Sequence, residues 1–200
     1  MYLTLFLLAI FLACVAMLWN EGLWSNAITL INVLLAAIFA SNYFEPVAAW
    51  LDGALPSYTY LWDFLALWLL FVISFGIMRV VTDLLSRTRV KFKMPVEHVG
   101  RVLLALWAAW IMISFTCFTL HTAPLPPNSF GGGFQPTPNS SNFLGLGPDR
   151  IWAAFMQSRS RGALSRVWDL REFDPNSEFI LRYHDRRAVY AQEPELRVHR

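Results

Sequence analysis

Tyr60 to Val81 reads YLWDFLALWLLFVISFGIMRVV, and between Asp63 and Arg79 it carries no charge. A bilayer core about 30 Å thick takes roughly 20 helical residues at 1.5 Å each, so a run of this length and composition reads as a membrane span. Tyr58, Tyr60, Trp62 and Trp68 gather at its start, the interfacial preference of rings with one apolar and one polar edge. Asp63 and Arg79 stand about 24 Å apart along a helix, too far to pair, and mark its two ends. Asp63 has two readings: a solvated carboxylate at the boundary, or a polar anchor or ion-sensing group inside a bundle.

Three more apolar runs flank this one. Tyr2 to Trp19 has no charge, and no Lys or Arg precedes it; a cleaved secretory leader needs a basic start, so it is expected to remain as a helix. After the polar break Asn20-Glu21-Gly22, a second run extends from Leu23 to about Phe44. Its Asn26, Thr29 and Asn32 favour contact with other helices over lipid, and Ala36, Ala37, Ala40 and Ser41 allow close approach. Pro46, Asp52-Gly53 and Pro56 predict a loop, with a short interfacial helix over Val47 to Leu51. The fourth run is Val102 to Leu120, preceded by Pro95 in a first-turn position, with Glu97 near the helix N-terminus.

Composition agrees. The chain is 56% hydrophobic and 15% charged, against about 45–50% and about 25% in soluble domains. A net charge of +2 gives no ground for nucleic-acid binding. All Lys and Arg of the first 120 residues, namely Arg79, Arg87, Arg89, Lys91, Lys93 and Arg101, fall around the third connection. Such an excess stays cytoplasmic, which puts the N-terminus and the tail outside. The tail follows as His121 to Pro148, rich in Pro, Gly, Asn and Ser and read as a linker. A helix is then expected over about 149–170, carrying an Ile151, Trp152, Phe155, Met156 stripe, and the charged sequence from Glu172 onward is expected to be extended or partly disordered.

The expectation is an all-α membrane protein: a four-transmembrane-helix bundle with an extramembrane C-terminal tail containing one or two short helices. The boundaries are 1–120 for the bundle (helices about 2–19, 23–44, 60–89 and 95–120), 121–148 for the linker and 149–200 for the tail.

Sites of chemistry are sparse. His98, His121, His184 and His199 lack metal-ligand spacing, Cys14 and Cys117 form no CxxC, and Gly131 to Gly133 has no Walker lysine. No catalytic residue, metal or cofactor is implied.

The organisation resembles the CvpA family, the colicin V production proteins of bacterial inner membranes. The resemblance rests on about residues 1–120. Its elements are Gly22 after the first run, the small-residue run ending Ala40-Ser41-Asn42-Tyr43-Phe44, the segment Phe75-Gly76-Ile77-Met78-Arg79, and Val96-Glu97-His98-Val99-Gly100-Arg101. The last is similar to the family's acidic-Arg-hydrophobic-hydrophobic-Gly signature, with His98 in place of the usual Arg and no basic residue directly after Gly22. The resemblance implies a non-enzymatic inner-membrane protein supporting colicin V-type toxin production or secretion, or envelope homeostasis. Gly22, Glu97 and Gly100 are the motif residues, with Glu97 and Gly100 expected to set the approach of the fourth helix. Arg87, Arg89, Lys91 and Lys93 are expected to face anionic lipid headgroups along 86–101; further partners would be other envelope proteins or a second copy. Two rival readings stand beside this one. The first is a small oligomeric channel or transporter lined by Asn26, Asn32, Ser74 and Ser114. The second is a membrane-tethered binding module working through residues 149–200.

Overall fold

The computed structural model describes residues 2–86, 90, 93–126, 128–134, 136–137, 141–162 and 172–192. Four long helices dominate: α1 (Tyr2–Trp19), α2 (Leu23–Ala54), α3 (Thr59–Leu85) and α4 (Met94–Thr122). Each is long and apolar enough to cross a membrane, so this is an all-α, multi-pass membrane bundle. An irregular turn, α5 (Ser129–Gly132), and two shorter helices, α6 (Pro148–Ser160) and α7 (Phe179–Tyr190), follow.

The helices run alternately up and down. Trp24 at the start of α2 hydrogen-bonds Ser86 just past the end of α3, and Asn26 bonds both Leu18 of α1 and Arg101 of α4. This is the basic end. At the opposite, tail end, Asp52 of α2 meets Thr59 of α3, and the tail packs on the start of α1 and the end of α4. α2 is central: it packs on α3 and α4, whereas α1 packs chiefly on α4. In lipid there is little hydrophobic force between helices, so close approach of small residues matters more. Ala36, Ala37, Ala40 and Ser41 of α2 and Ala66 of α3 are all fully buried. Above them, Phe44, Phe71, Phe115 and Phe118 form an aromatic core.

Three expectations need correction. First, α2 does not stop near Phe44: it continues through Pro46 to Ala54. Proline removes one backbone donor and costs about 3 kcal/mol in an exposed helix interior. Here the later turns are held by buried Ala48 and by Glu45 pairing with Arg182. At 1.5 Å per residue α2 is about 48 Å long, so its last turns stand clear of a bilayer core and make a platform at the tail end. Second, the described residues of 121–148 do not form a free linker. Phe134, Asn142 and Phe143 are buried, and Thr4 of α1 donates to the Asn142 carbonyl. A segment too polar to fold alone is ordered by covering Leu3, Leu7 and Ile113 of the bundle. Gly145 and Leu144 take positive φ in the turn that pairs Phe143 with Leu146. Third, Phe179–Tyr190 is a helix rather than an extended segment. Phe179, Tyr183 and Arg187 recur every four residues, and all three are buried against the bundle. Helix α6 closes at Ser160, and the stretch 163–171 lies outside the described residues. At the basic end α3 closes at Leu85, where Ser86 leaves helical geometry.

Candidate functional site

Polar constellations interrupt the bundle at both ends. At the basic end, Oε1 of Glu97 in α4 accepts from the backbone N–H of Leu23 at 2.8 Å. A side chain of one span thus caps the first turn of another, whose own cap position is Gly22 and offers no side chain. A Cβ on Gly22 would stand 3.2 Å from the same carboxylate oxygen, and one on Gly100 would come within 2.7 Å of Leu23 Cδ1. Gly22 and the neighbouring pair Glu97 and Gly100, far from it in sequence, therefore meet at one joint. Asn26, fully buried, fastens it by donating to the Leu18 carbonyl at 3.2 Å and the Arg101 carbonyl at 3.1 Å. Asn26 Oδ1, Glu97 Oε2 and Arg101 Nε are buried there without a hydrogen-bond partner. Beside the joint, Arg79 bridges Thr29 of α2 and Asp83 of its own helix. Lys93, immediately before α4, is exposed; Arg87, Arg89 and Lys91 lie outside the described residues.

The remaining polar residues proposed for a pathway are taken up separately. Asn32 donates to Thr82 of α3, and Ser74 bonds carbonyls of its own helix. Ser114 Oγ is buried and unpartnered.

The tail end holds a constellation that sequence reading passed over. His121, at the end of α4, places Nε2 at 2.8 Å from Asp149 Oδ2 in the first turn of α6. Its Nδ1 lies 3.4 Å from Nη2 of Arg187 in α7. Since arginine only donates, these partners assign a ring that accepts at Nδ1 and donates at Nε2. Asn142 adds a second donor to the same Asp149 oxygen at 3.0 Å, and its Nδ2 stands 3.8 Å from Cys117 Sγ. All four members are at most 5% exposed. Burial is the largest single influence and works to raise the Asp149 carboxyl, but the hydrogen bonds from His121 and the Arg150 backbone, together with the neighbouring positive charge, outweigh it and hold the group below the ordinary carboxylate range. Burial lowers the Arg187 pKa, and its guanidinium packs over the Phe134 ring at 5.1 Å.

Two neighbouring arginines complete the attachment of α7. Arg182 pairs with Glu45 of α2 at 2.7 Å, and Arg186 pairs with Asp63 of α3. Asp63 is thus a partnered boundary carboxylate. One short helix reaches all three central spans, through Glu45 of α2, Asp63 of α3 and His121 of α4. Chemically the constellation ties elements together and exposes no reacting group. Among the described residues, no three His, Cys, Asp or Glu side chains group closely enough to hold a metal ion. The one sequence signal was the four-residue recurrence of Phe179, Tyr183 and Arg187; no spacing links His121 to Asp149.

No curated protein and no solved structure matches the chain. A model of the colicin V production protein family does, over residues 3–142, from the first turn of α1 to the asparagine that touches Asp149. With four apolar spans and a Gly22–Glu97–Gly100 contact between the start of α2 and α4, the chain belongs to the colicin V production protein family.

Proposed function

We propose that this protein supports colicin V-type toxin production or export, and envelope integrity, as a non-enzymatic helical scaffold in the bacterial inner membrane. The observation that carries this is the extent of the family match: residues 3–142 take in all four spans and their joint. The basic end faces the cytoplasm in this reading because it bears every Lys and Arg of the first 120 residues. The N-terminus and the tail then lie on the periplasmic side. Arg87, Arg89, Lys91 and Lys93 sit against anionic headgroups, at about 1 kcal/mol per basic residue near the surface. The chain acts through contacts with lipids, with other envelope proteins or with a second copy.

The test is complementation. In colicin V-producing cells lacking their own family member, the wild-type chain is expected to restore toxin in the medium. Failure to restore it, with the chain present in the membrane, would reject the export role. Reporter fusions after residues 53, 92 and 130 check the orientation: a periplasmic reporter should work at 53 and 130 and stay silent at 92. The packing of α6 and α7 into the bundle supports a tail that completes the scaffold, rather than a module acting apart from it.

A further inference from the structure

The turn that pairs Phe143 with Leu146 has the wrong composition for water. Its sequence is Asn142-Phe143-Leu144-Gly145-Leu146, whereas solvated turns are built from Gly, Pro, Asn, Asp and Ser. Leu144 is held at φ 47°, a region that a leucine occupies only at a cost. Leu144 and Leu146 are 72% and 48% exposed. In water the turn would be unfavourable twice over, in strain and in apolar exposure.

Its contacts place it elsewhere. Helix α1 has 18 residues, about 27 Å, barely the thickness of a bilayer core about 30 Å, so Tyr2 stands at the limit of that core. The Asn142 carbonyl accepts from Thr4, and Asn142 Nδ2 lies against Cys117; these positions are about 3 Å inside Tyr2 and about 6 Å inside His121. The Phe143 ring goes deeper. Its centroid is 6.3 Å from those of Phe11 and Trp110, residues that stand about 14 Å beyond Tyr2 and about 16 Å before His121. Even with the full ring separation subtracted, Phe143 lies on the order of 8 Å inside the spans, halfway into the roughly 15 Å of hydrocarbon in one leaflet. Backbone at such a depth has to satisfy its own polar groups. Asn142 and Phe143 both donate to the Leu146 carbonyl, Leu146 donates back to Phe143, and Thr4 donates to Asn142. The N–H and the carbonyl of all three residues are thus engaged.

We infer that the Asn142–Leu146 turn is a re-entrant element, dipping into the leaflet on the tail side so that Leu144 and Leu146 contact phospholipid acyl chains. Phe143 is its inner face, packed on α1 and α4. The two leucines are its outer face and continue the lipid-facing surface of those spans. Depth identifies the partner, since beside α1 and α4 at this level the medium is hydrocarbon. The extramembrane part of the tail is shortened by this turn. The inference requires the spanning bundle, but neither the export role nor a particular orientation.

The experiment is hydroxyl-radical footprinting of the full wild-type chain in nanodiscs of phosphatidylethanolamine and phosphatidylglycerol, read by mass spectrometry at single leucines. Two leucines of matched exposure serve as references: Leu55, 52% exposed just past the end of α2, and Leu69, 51% exposed within the α3 span. Leu144, more exposed than either, should be oxidised at least about threefold more slowly than Leu55 and close to the rate of Leu69, because the core excludes water. Oxidation of Leu144 as fast as that of Leu55 would overturn the inference. A second measurement identifies what covers the turn. With a trace of phospholipid carrying a photoreactive diazirine in one acyl chain, irradiation should leave a lipid adduct on the peptide containing Leu144 and Leu146. An adduct at Leu69 with none on that peptide means that protein covers the turn, and overturns the lipid assignment.

Discussion

The two ends of this bundle are joined by different means. At the basic end, a carboxylate caps a backbone N–H and two glycines admit their neighbours, all within spans that a membrane would order in any case. At the tail end, Asp149, Asn142 and Arg187 come from three separate segments of the tail and close on one histidine. The first joint is made of fit and the second of charge. Fit is lost gradually when a side chain changes size. A buried charge cluster fails all at once, because the survivors stay desolvated and unpaired.

The largest expected effect tests that contrast. Asp149→Leu removes the acceptor of both His121 and Asn142, and breaking a buried pair of this kind costs about 3–5 kcal/mol. The expected outcome is a large fall in Tm in detergent, with trypsin cleavage at Arg182, Arg186 and Arg187 appearing while the spans stay protected. The sign with pH follows from the depressed Asp149 carboxyl. Its contribution is complete above the free-carboxylate value of 3.8 and is lost as the pH drops through the lower value it holds in the fold. The gap in Tm between wild type and Asp149→Leu should accordingly narrow only in strong acid. A gap that never narrows in acid, as far as the fold persists, would mean that size, not charge, holds the tail end too.

Gly100→Leu comes next. It forces carbon into the space of Leu23, and overpacking of this sort costs about 1–3 kcal/mol. Pairing it with Leu23→Ala should restore most of the lost Tm, and two additive losses instead would show that the contact does not act through fit. Glu97→Ala should cost about 0.5–2 kcal/mol, the range for a lost helix cap, with Glu97→Gln retaining most of the stability because an amide oxygen still accepts. Smallest is Arg182→Ala. Its pair with Glu45 is half exposed, and exposed pairs contribute about 0–1 kcal/mol; any change in Tm should vanish in high salt.

The same contrast explains what could be read in advance. The spans are written in apolar runs, and Gly22, Glu97 and Gly100 stand out in the sequence as single motif residues at span boundaries, but nothing in the sequence says that they meet. The cluster at His121 could not be read at all. Its partners lie 28 and 66 residues away, across a Pro- and Gly-rich stretch whose local preferences point to no structure. The described residues of that stretch are held by the apolar faces of α1 and α4 and by hydrogen bonds to Thr4 and Asp149. Pro46 misled for a related reason: proline's local penalty is real, but packing around Ala48 and Glu45 outweighs it. Arg87, Arg89 and Lys91 lie outside the described residues and remain an expectation from charge alone.

The three arginines of α7 have a mechanical corollary. Their anchors sit on three different spans, so they record the mutual geometry of those spans as a ruler with three pegs would. Helices tilt to match the thickness of the bilayer around them, and a rigid twelve-residue rod cannot follow three independent tilts. A thinner membrane must therefore pull one peg first. Arg182, with the most exposed partner of the three, is the one that slips, which would leave α7 hinged on Asp63 and His121.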